Sequence, residues 1–575
     1  MAQETLTRQV GRSALLVLMG TLASACGGGG GGGGGVVVPP PPPSGETVTV
    51  SGVITFDRIP FSPQPDQGLT PNSPVRSPAR QVVVEAIDPG RVVLASTVTD
   101  LSGNYSLEVP AQRDMRIRAK AQMLKTDAAP TWNFAVRNNM NGDALWALES
   151  SLFNSGSEDS THNLNAGTGW GGSSYTGTRA AAPFAILDTV FQAKELILSA
   201  SPNAVFPPLD LFWNPTNRQS DQFCPDNGDI GTTSYVVFGQ GGLDSCNVTG
   251  VSGIYVLGNF TVGDTDEFDQ HVIAHEFGHY VEHRFSRSDS IGGDHGFGDK
   301  LDLRVAFGEG WGNAYSAMVL SDPLYRDSAA GISQDFNFSL EDDSGDNEGW
   351  YSEFSVGEIL WDVFDTDSPT ELADTVSLGF EPIFMVMTGR QIQTAALTSI
   401  FSFADALIDE NGAEASGIRA LLTQERIFGT DEFGAGETNS GGDGDIPPIY
   451  IPITLNAPTP ALVCSRSDAH NTSANKLGNR RFFVLDNPSS RLVSVQVNGT
   501  VNPGDTNSIA ATDPDVYVFR QGELVNFGDS ADEGVEVIDQ FPLQPGRYVI
   551  EVYDFDVRTA ATDQPRCMTV QLTGI

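Results

Sequence analysis

The period of the hydrophobic positions changes along the chain. Over residues 44–124 apolar and polar residues alternate, as in residues 47–54 (TVTVSGVI) and 105–109, and turn residues such as 100–104 separate the runs. A period of two residues is that of β-strands with one buried face. Short strands joined by regular turns predict a β-sandwich for this part of the chain.

The middle of the chain, about residues 141–448, mixes two periods. Residues 183–200 carry apolar residues at helical spacing, and two apolar runs at 235–238 and 254–257 are typical of strands. Further helical patterns lie at 306–320, 356–364, 390–409 and 415–427. Together these patterns predict an α+β domain.

The tail returns to the strand period. Residues 513–519 (DPDVYVF) and 546–553 (GRYVIEVY) alternate or are continuously apolar, which predicts a second β-sandwich over 457–575. A chain of 575 residues is too long for one core and has room for about three domains. The sequence therefore predicts a multidomain chain, with an α+β domain between two β-sandwich domains.

The acidic composition indicates which classes of ligand the protein can bind. The net charge of −41 would repel a phosphate backbone, so we expect no nucleic-acid partner. Acidic loops at residues 341–348 and at Asp264, Asp266, Glu267 and Asp269 offer oxygen ligands that suit Ca²⁺. Neither loop has the spacing of an EF-hand, so solvated acidic loops remain the alternative to calcium sites.

The first residues have the pattern of an export signal. Arg8 and Arg12 precede a short apolar run at 14–19, which is too short to span a bilayer, and small residues lead to Cys26. This predicts a signal peptide over 1–25. The small residues before Cys26 resemble a bacterial lipobox, which implies that Cys26 is lipidated; cleavage after Ala25 without lipid is the alternative.

A tether follows the signal. Residues 26–43 hold an unbroken glycine run and then a proline run, a flexible segment followed by a stiff one. Such a segment is useful for holding a folded body away from an anchor. We expect an exported bacterial protein, an outer-membrane or cell-surface lipoprotein or otherwise a secreted protein, which meets the membrane only through its N-terminal lipid.

The number and spacing of the cysteines are consistent with an exported protein. The chain has five, and setting Cys26 aside leaves four. Proximity along the sequence favours the pairs Cys224–Cys246 and Cys464–Cys567, although four cysteines allow three pairings. An oxidising compartment permits both bonds.

The central domain contains an HExxH motif on a helical pattern. In residues 269–285 (DQHVIAHEFGHYVEHRF), His275 and His279 are four positions apart and share one helix face, so both imidazoles can reach one Zn²⁺. Glu276 stands beside them, where its carboxylate can take a proton from a zinc-bound water. For His271 and His283, which continue the row, we expect places on the helix surface instead.

A third ligand is available in a second helical pattern. Glu309 follows His279 by thirty residues, and small residues around it permit close helix packing. The metzincin pattern would need Gly at 282 and His at 285, where this chain has Glu282 and Phe285, so that class is excluded. Two imidazoles and a carboxylate leave one zinc position for water.

The segment around Glu309 allows a family to be named. Residues 307–313 (FGEGWGN) resemble the G-E-G-W-S-D stretch of the fungalysin group and, more distantly, the N-E-x-x-S-D stretch of thermolysin-like peptidases. The resemblance implies a gluzincin-type, zincin-like catalytic domain with His275, His279 and Glu309 as zinc ligands. It also implies that Asn313 orients a zinc histidine, where those families have an aspartate.

A second segment resembles the same family but lacks one of its functional residues. Residues 357–361 (GEILW) resemble the fungalysin G-E-V-W segment, in which a histidine three positions earlier helps to stabilise the oxyanion. Here that position is Phe354. We expect another donor to serve, with Tyr351 ranked first because a hydroxyl stabilises an oxyanion without changing its charge. The other candidates are His295, Tyr315 and Arg304.

The flanking β domains resemble peptidase appendages. The run from residue 52 to residue 110 resembles the carboxypeptidase regulatory-like domain, and the tail motifs at 513–519 and 546–553 resemble the bacterial pre-peptidase C-terminal domain. The predicted domain order is a signal peptide at 1–25, a tether at 26–43, a regulatory-like β-sandwich at 44–125, a connecting segment at 126–180, a zincin-like metallopeptidase domain at 181–450, and a pre-peptidase C-terminal-like β-sandwich at 457–575.

These features favour a monomeric zinc endopeptidase that hydrolyses proteins or peptides, with Glu276 as general base. One alternative is a surface-anchored binding protein whose zincin core is not catalytic, which the phenylalanine at 354 would suit. Another is an aminopeptidase of the same mechanism, although no G-x-M-E-N-type motif for the substrate amine precedes the HExxH motif.

Overall fold

The computed structural model describes residues 45–238, 246, 251–261, 264–296, 298–329, 331–341, 347–366, 375–466, 473–558 and 564–574. The predicted signal peptide, the tether with Cys26, and residues 342–346 of one acidic loop lie outside these residues. The chain divides into two compact units. The first comprises residues up to 191, 205–269 and 328–335, and the second comprises 192–204, 270–327 and 336–575.

The first unit is built from strands. Those strands are β1 Thr47–Arg58, β2 Val75–Pro78, β3 Val82–Ile87, β4 Val93–Val98, β5 Asn104–Pro110, β6 Asp114–Lys125, β7 Trp132–Asn138, β8 Ala144–Leu145, β9 Ala147–Glu149, β10 Phe153–Asn154, β11 Ser160–Thr161, β12 Leu164–Ala166, β13 Leu209–Trp213, β14 Arg218–Gln219, β15 Phe223–Cys224, β16 Asp229–Gly231, β17 Ser234–Val236, β18 Gly253–Val256, β19 Gly258–Asn259 and β20 Asp264–Thr265. Two more strands follow later in the chain and lie only in part within this unit, β21 Leu324–Ala329 and β22 Gln334–Ser339.

One mixed sheet dominates this unit, with strand order β17-β18-β13-β7-β6-β3-β4. Strand β18 is buried at every position and is parallel to β13, as expected for a strand covered on both faces. Strands β1 and β5, in contrast, alternate between buried and more exposed positions, as their sequence pattern predicts. The predicted boundary at 125/126 falls between β6 and β7, which pair antiparallel in this sheet.

The helices occupy the middle of the chain. They are α1 Ala182–Ala200, α2 Gln270–Phe285, α3 Leu303–Leu320, α4 Glu353–Phe364, α5 Phe380–Thr388, α6 Arg390–Gln393, α7 Ile400–Glu410 and α8 Ala415–Gln424. None of the helices in the described ranges combines the length and the apolar character that a membrane span requires.

Small residues let α2, α3 and α4 approach closely. A methyl group added at Gly278 of α2 would lie 3.2 Å from the Cα of Gly312 in α3. One added at Gly310 would lie 2.5 Å from the Cβ of Val356 in α4. Trp311 of α3 stabilises the contact between α2 and α3, because its indole N–H donates to the Gly278 carbonyl at 2.8 Å. Helix α3 is therefore buried between its two neighbours, from Leu303 to Met318.

The C-terminal part of the second unit is β-rich. Its strands are β23 Tyr450–Pro452, β24 Ala461–Ser465, β25 Arg481–Asn487, β26 Arg491–Gly499, β27 Ile509–Ala510, β28 Pro514–Arg520, β29 Glu523–Gly528, β30 Val535–Leu543, β31 Gly546–Asp554 and β32 Arg566–Gly574. They form two sheets, in the orders β23-β25-β31-β28-β29 and β24-β32-β26-β30, which share one apolar core. The predicted β-rich flanks around a helical middle are confirmed, whereas the zincin-like character of the middle stays a prediction.

Both predicted disulfides are present. Cys224 is bonded to Cys246, and Cys464 is bonded to Cys567 across the paired strands β24 and β32. Disulfides persist in oxidising compartments, so these two bonds indicate an exported protein.

A buried charge cluster connects the first turn of α3 to the C-terminal sheets. The Arg304 guanidinium donates to Asp302 at 2.8 and 3.0 Å and to Glu551 of β31 at 2.7 Å. Arg480 also donates to Glu551. The two arginines hold the pKa of the buried Glu551 carboxyl below its ordinary value, although burial alone would raise it. The start of the helix that carries Glu309 is thus fixed by a residue some 250 positions away along the chain.

Candidate metal centre

Two adjacent helices present the predicted ligands. In α2, His275 and His279 are one turn apart on the same face, with 3.0 Å between their Nε2 atoms. Helix α3 begins at a capping residue, Asp302, whose side chain accepts the N–H of Arg304 at 3.0 Å. Glu309 lies in the second turn of α3 and points at the two histidines.

The three side chains form a small triangle of ligand atoms. Oε2 of Glu309 is 3.3 Å from Nε2 of His275 and 3.3 Å from Nε2 of His279. Ligands bound at about 2.0–2.1 Å around a tetrahedral zinc ion are separated by about 3.3 Å. The observed spacings of 3.0, 3.3 and 3.3 Å therefore fit the edges of one zinc coordination shell. The three residues predicted as ligands are brought together.

Hydrogen bonds fix the orientation of His275. Its Nδ1–H donates to Oδ1 of Asn313 at 2.9 Å, which leaves the lone pair of Nε2 facing Glu309. The amide of Asn313 in turn donates to Oε2 of Glu353 at 3.5 Å. Asn313 thus occupies the orienting position that the resemblance implies. The negative charge that an aspartate would bring belongs instead to Glu353, which is the next residue in this chain of hydrogen bonds.

Gly312 allows His275 to lie against α3. A methyl group at this glycine would be 2.7–2.8 Å from three atoms of the imidazole ring, Cε1, Nδ1 and Nε2. Real side chains do not approach so closely, so only glycine leaves room for the ring in this position.

The charges around the triangle favour a cation. Burial alone would lower the pKa of His279, but Glu309, Glu276 and Glu282 outweigh it and raise the pKa to about 10. Burial would likewise raise the pKa of Glu309, but His279 and His295 hold it well below its ordinary value. Because the same carboxylates that stabilise a proton on His279 stabilise a metal ion, the negative potential suits Zn²⁺.

Glu276, the predicted general base, is buried in α2. Its charge contributes to the raised pKa of His279, which places the carboxylate within electrostatic reach of the triangle. The expectation of a surface place is wrong for His271, which is buried and contacts the Ser316 hydroxyl through Nδ1 at 3.1 Å. Burial, with the charge of Arg326, lowers the pKa of His271 to about 3. His283 is only half-buried.

Three of the four candidate oxyanion donors are engaged elsewhere in the second unit. Tyr351 donates from its hydroxyl to Oδ1 of Asn439 at 3.0 Å, and Tyr315 donates to the Ala193 carbonyl at 2.9 Å. Arg304 belongs to the charge cluster with Glu551. The hydroxyl of Tyr351, the candidate ranked first, is thus already hydrogen-bonded to Asn439.

His295 is the candidate that reaches the triangle. Its Nε2 is 3.5 Å from Oε2 of Glu309 and 3.8 Å from Oε2 of Glu353. Burial would lower its pKa, but these two carboxylates raise it above the ordinary value. The sequence patterns favour Tyr351 over His295 as the oxyanion donor, and they do not single out Glu353. The acidic residue directly before Phe354, at the start of the helix with the G-E-I-L-W segment, was the available signal for Glu353.

The acidic residues suggested for calcium are largely engaged within the first unit. Glu267 forms an ion pair with Arg179, and Asp266 accepts a hydrogen bond from the Thr233 hydroxyl. Asp269 accepts the backbone N–H of Ser328 at 2.7 Å. Burial raises the pKa of Asp264 to about 6. Calcium binding here stays a prediction.

Comparisons with known proteins give little guidance. No family model matches the chain, and no curated protein matches its sequence. One similar solved structure is the pre-peptidase C-terminal domain of a collagenase from Bacillus anthracis, with 9% identity, 22% of this chain and 94% of that chain covered, and a TM-score of 0.15. Another is a periplasmic inhibitor of g-type lysozyme from Aeromonas hydrophila, with 14% identity, 22% and 96% covered, and a TM-score of 0.14. Similarity at this level carries no argument about function.

Proposed function

We propose that this protein is a gluzincin-type zinc peptidase in which His275, His279 and Glu309 bind the metal and Glu276 is the general base. The observation that supports the proposal most is the triangle of ligand atoms with edges of 3.0 to 3.3 Å. Two imidazoles and one carboxylate are a donor set of hydrolytic zinc sites, in which the fourth position is left for water.

The chemistry divides between the metal and the chain. When bound, zinc polarises the scissile carbonyl and lowers the pKa of its water to about 7. Glu276 accepts the proton of the attacking water and delivers it to the leaving amine. Asn313 holds His275 in the tautomer and orientation that leave Nε2 free to bind the metal. His275 and Glu309 are buried and His279 is partly buried, and their places in two packed helices keep the ligand geometry rigid.

The finer architecture belongs to the same proposal. The middle of the chain is a zincin-like α+β domain, and its flanks are a carboxypeptidase regulatory-like and a pre-peptidase C-terminal-like β-sandwich. Lipidation at Cys26 anchors the exported protein, and the substrates are proteins or peptides outside the cell. The β-rich flanks and the two disulfides support this arrangement.

Metal analysis of the full chain and of three variants tests the proposal. His279→Gln should lose stoichiometric zinc, whereas His283→Gln, one turn further along α2, should keep it. Glu276→Gln should keep its zinc and lose hydrolysis of casein, and phenanthroline should block hydrolysis by the parent. A purified chain that binds no metal after zinc supplementation would contradict the proposal.

A second candidate is a surface-anchored binding protein with a non-catalytic zincin core. Phe354 favours it, since the histidine of the resembling family is missing there, and so does the engagement of the Tyr351 hydroxyl with Asn439. In that case neither the parent nor Glu276→Gln cleaves any peptide in a mass-spectrometric substrate profile.

A further inference from the structure

Glu309 belongs to two groups of ligand atoms. The first is the triangle with His275 and His279. In the second, ligand atoms of His295, Glu309 and Glu353 also lie within 4.8 Å of one another. The first group accounts for two imidazoles and one carboxylate, and it leaves His295 and Glu353 unexplained.

The spacings in the second group are not those of hydrogen bonds. Nε2 of His295 is 3.5 Å from Oε2 of Glu309 and 3.8 Å from Oε2 of Glu353, beyond the 2.7–3.2 Å range of a normal N–H···O bond. Two ligands of one ion, in contrast, sit about 3.0 to 3.9 Å apart when each bond is about 2.1–2.4 Å long and the geometry is octahedral or tetrahedral. The second group therefore has the spacing of atoms that share a cation more nearly than that of atoms that share a proton.

The other ring nitrogen of His295 also supports a role as a metal ligand. Its Nδ1 is 3.2 Å from the Gly293 carbonyl oxygen, which can only accept, so Nδ1 carries the hydrogen. In the neutral ring Nε2 then presents a lone pair to the two carboxylates. Metal-binding histidines characteristically donate their other N–H to a backbone carbonyl or carboxylate in this way.

The loop that carries His295 is held in place from the C-terminal part of the second unit. The Asn475 amide donates to the carbonyls of Gly292 and Asp294 at 3.0 and 3.1 Å. The Lys476 ammonium donates to the Asp294 carbonyl at 2.6 Å. These bonds fix the backbone on either side of Gly293, and so they position the imidazole before any ligand arrives.

Among the described residues, Glu309 and Glu353 are paired only with histidines, at 3.3 to 3.8 Å. Glu353 is 6% exposed, and its Oε2 has the Asn313 amide at the long distance of 3.5 Å. Glu309 is 8% exposed and lies close to it. Two buried carboxylates side by side repel each other, and a buried carboxylate without full compensation is costly. A single zinc ion in the first group neutralises Glu309 and leaves Glu353 with His295, at the long distance of 3.8 Å, as its ion-pair partner.

We propose that His295 and Glu353 bind a second divalent cation, which Glu309 shares with the zinc of the first group. One imidazole and two carboxylates suit a borderline ion such as Zn²⁺, Co²⁺ or Mn²⁺. The side chain of His295 is 30% exposed, which gives the ion a path from solvent. This inference rests on the proposed function. The second ion supplies the positive charge that Phe354 cannot offer to a substrate oxyanion, as the second metal does in two-metal hydrolytic sites.

Metal stoichiometry of the full-length protein is the test. Metal-free protein is titrated with Zn²⁺, and the bound metal is measured by plasma mass spectrometry after removal of free ion. The parent should bind two equivalents. His295→Ala and Glu353→Gln should each bind one, and His283→Ala, a histidine outside both groups, should bind two. Circular dichroism melts of the metal-free variants verify that each is folded.

A spectroscopic measurement separates two neighbouring ions from two distant ones. Parent protein loaded with Mn²⁺ should give the electron paramagnetic resonance spectrum of a spin-coupled pair, and His295→Gln should give that of an isolated ion. A parent that binds one equivalent and still hydrolyses casein overturns the second site and leaves the zinc peptidase standing. A parent that binds no metal overturns both.

Discussion

Gly312→Ala should weaken zinc binding without disrupting the fold. The new methyl group would lie 2.7–2.8 Å from three ring atoms of His275, where ordinary contacts begin near 3.4 Å. The imidazole must therefore retreat by about 0.6–0.7 Å, several times the roughly 0.2 Å tolerance of a metal–ligand bond. Loss of a partner that only orients a metal ligand typically costs about 10- to 100-fold in metal affinity, and displacement of the ligand itself should cost at least as much. We expect a loss of that size.

Gly308→Ala is the matched control, since Gly308 lies one turn earlier on the same helix. Its methyl group would meet Oε2 of Glu282 at 3.4 Å and Cβ of Ser290 at 3.6 Å, which are ordinary contacts. Both substitutions gain about 0.5–1 kcal/mol of helix stability, so the difference between them isolates the clash with His275.

The assay is a titration against a chelator of known zinc affinity, with thermal unfolding of the metal-free proteins alongside. Gly308→Ala should bind zinc like the parent, and Gly312→Ala should bind it at least ten times more weakly. Equal affinities for the two variants would refute the placement of His275 against α3.

Further predictions concern the surroundings of the site and the C-terminal part of the second unit. Asn313→Ala should reduce zinc affinity about 10- to 100-fold by removing the acceptor of His275, and Asn313→Asp should largely restore it, as measured by the same chelator titration. Glu551→Ala should lower the free energy of unfolding by about 3–5 kcal/mol in urea, because it removes the buried carboxylate that Arg304 and Arg480 share; an unchanged midpoint would contradict this. Burial, reinforced by Asp513, raises the pKa of Asp515 to about 8, so the folded chain keeps a proton that the unfolded chain releases above about pH 4. Stability should therefore fall as the pH rises from about 4 to 8, and Asp515→Asn should remove most of that fall in hydrogen-exchange measurements at pH 5 and 8.5; identical pH profiles would contradict it.

The elements that carry the zinc ligands could be predicted from local patterns. The helical pattern at 269–285 corresponds to α2, Gln270–Phe285, because its apolar and polar residues alternate at the period of one packed helix. The alternation at 47–54 corresponds to the first part of β1. His275 and His279 share a helix face by spacing alone, so their convergence needs no knowledge of the rest of the fold.

The remainder of the site depends on contacts between distant segments. His295 reaches Glu309 because its loop is held by Asn475 and Lys476, some 180 residues later, and no periodicity encodes such a contact. Tyr351 was ranked above His295 on the chemistry of its hydroxyl, but Asn439, from another loop, engages that hydroxyl. Likewise, local pattern could not indicate that the sheet continues across 125/126, because strand pairing depends on partners rather than on sequence period.

Anomalous diffraction from zinc-loaded crystals, collected on both sides of the zinc absorption edge, measures the position of the metal directly. We predict a peak about 2.0–2.1 Å from Nε2 of His275, Nε2 of His279 and a carboxylate oxygen of Glu309. Zinc-loaded crystals in which these three side chains surround no anomalous peak would contradict the proposed metal centre.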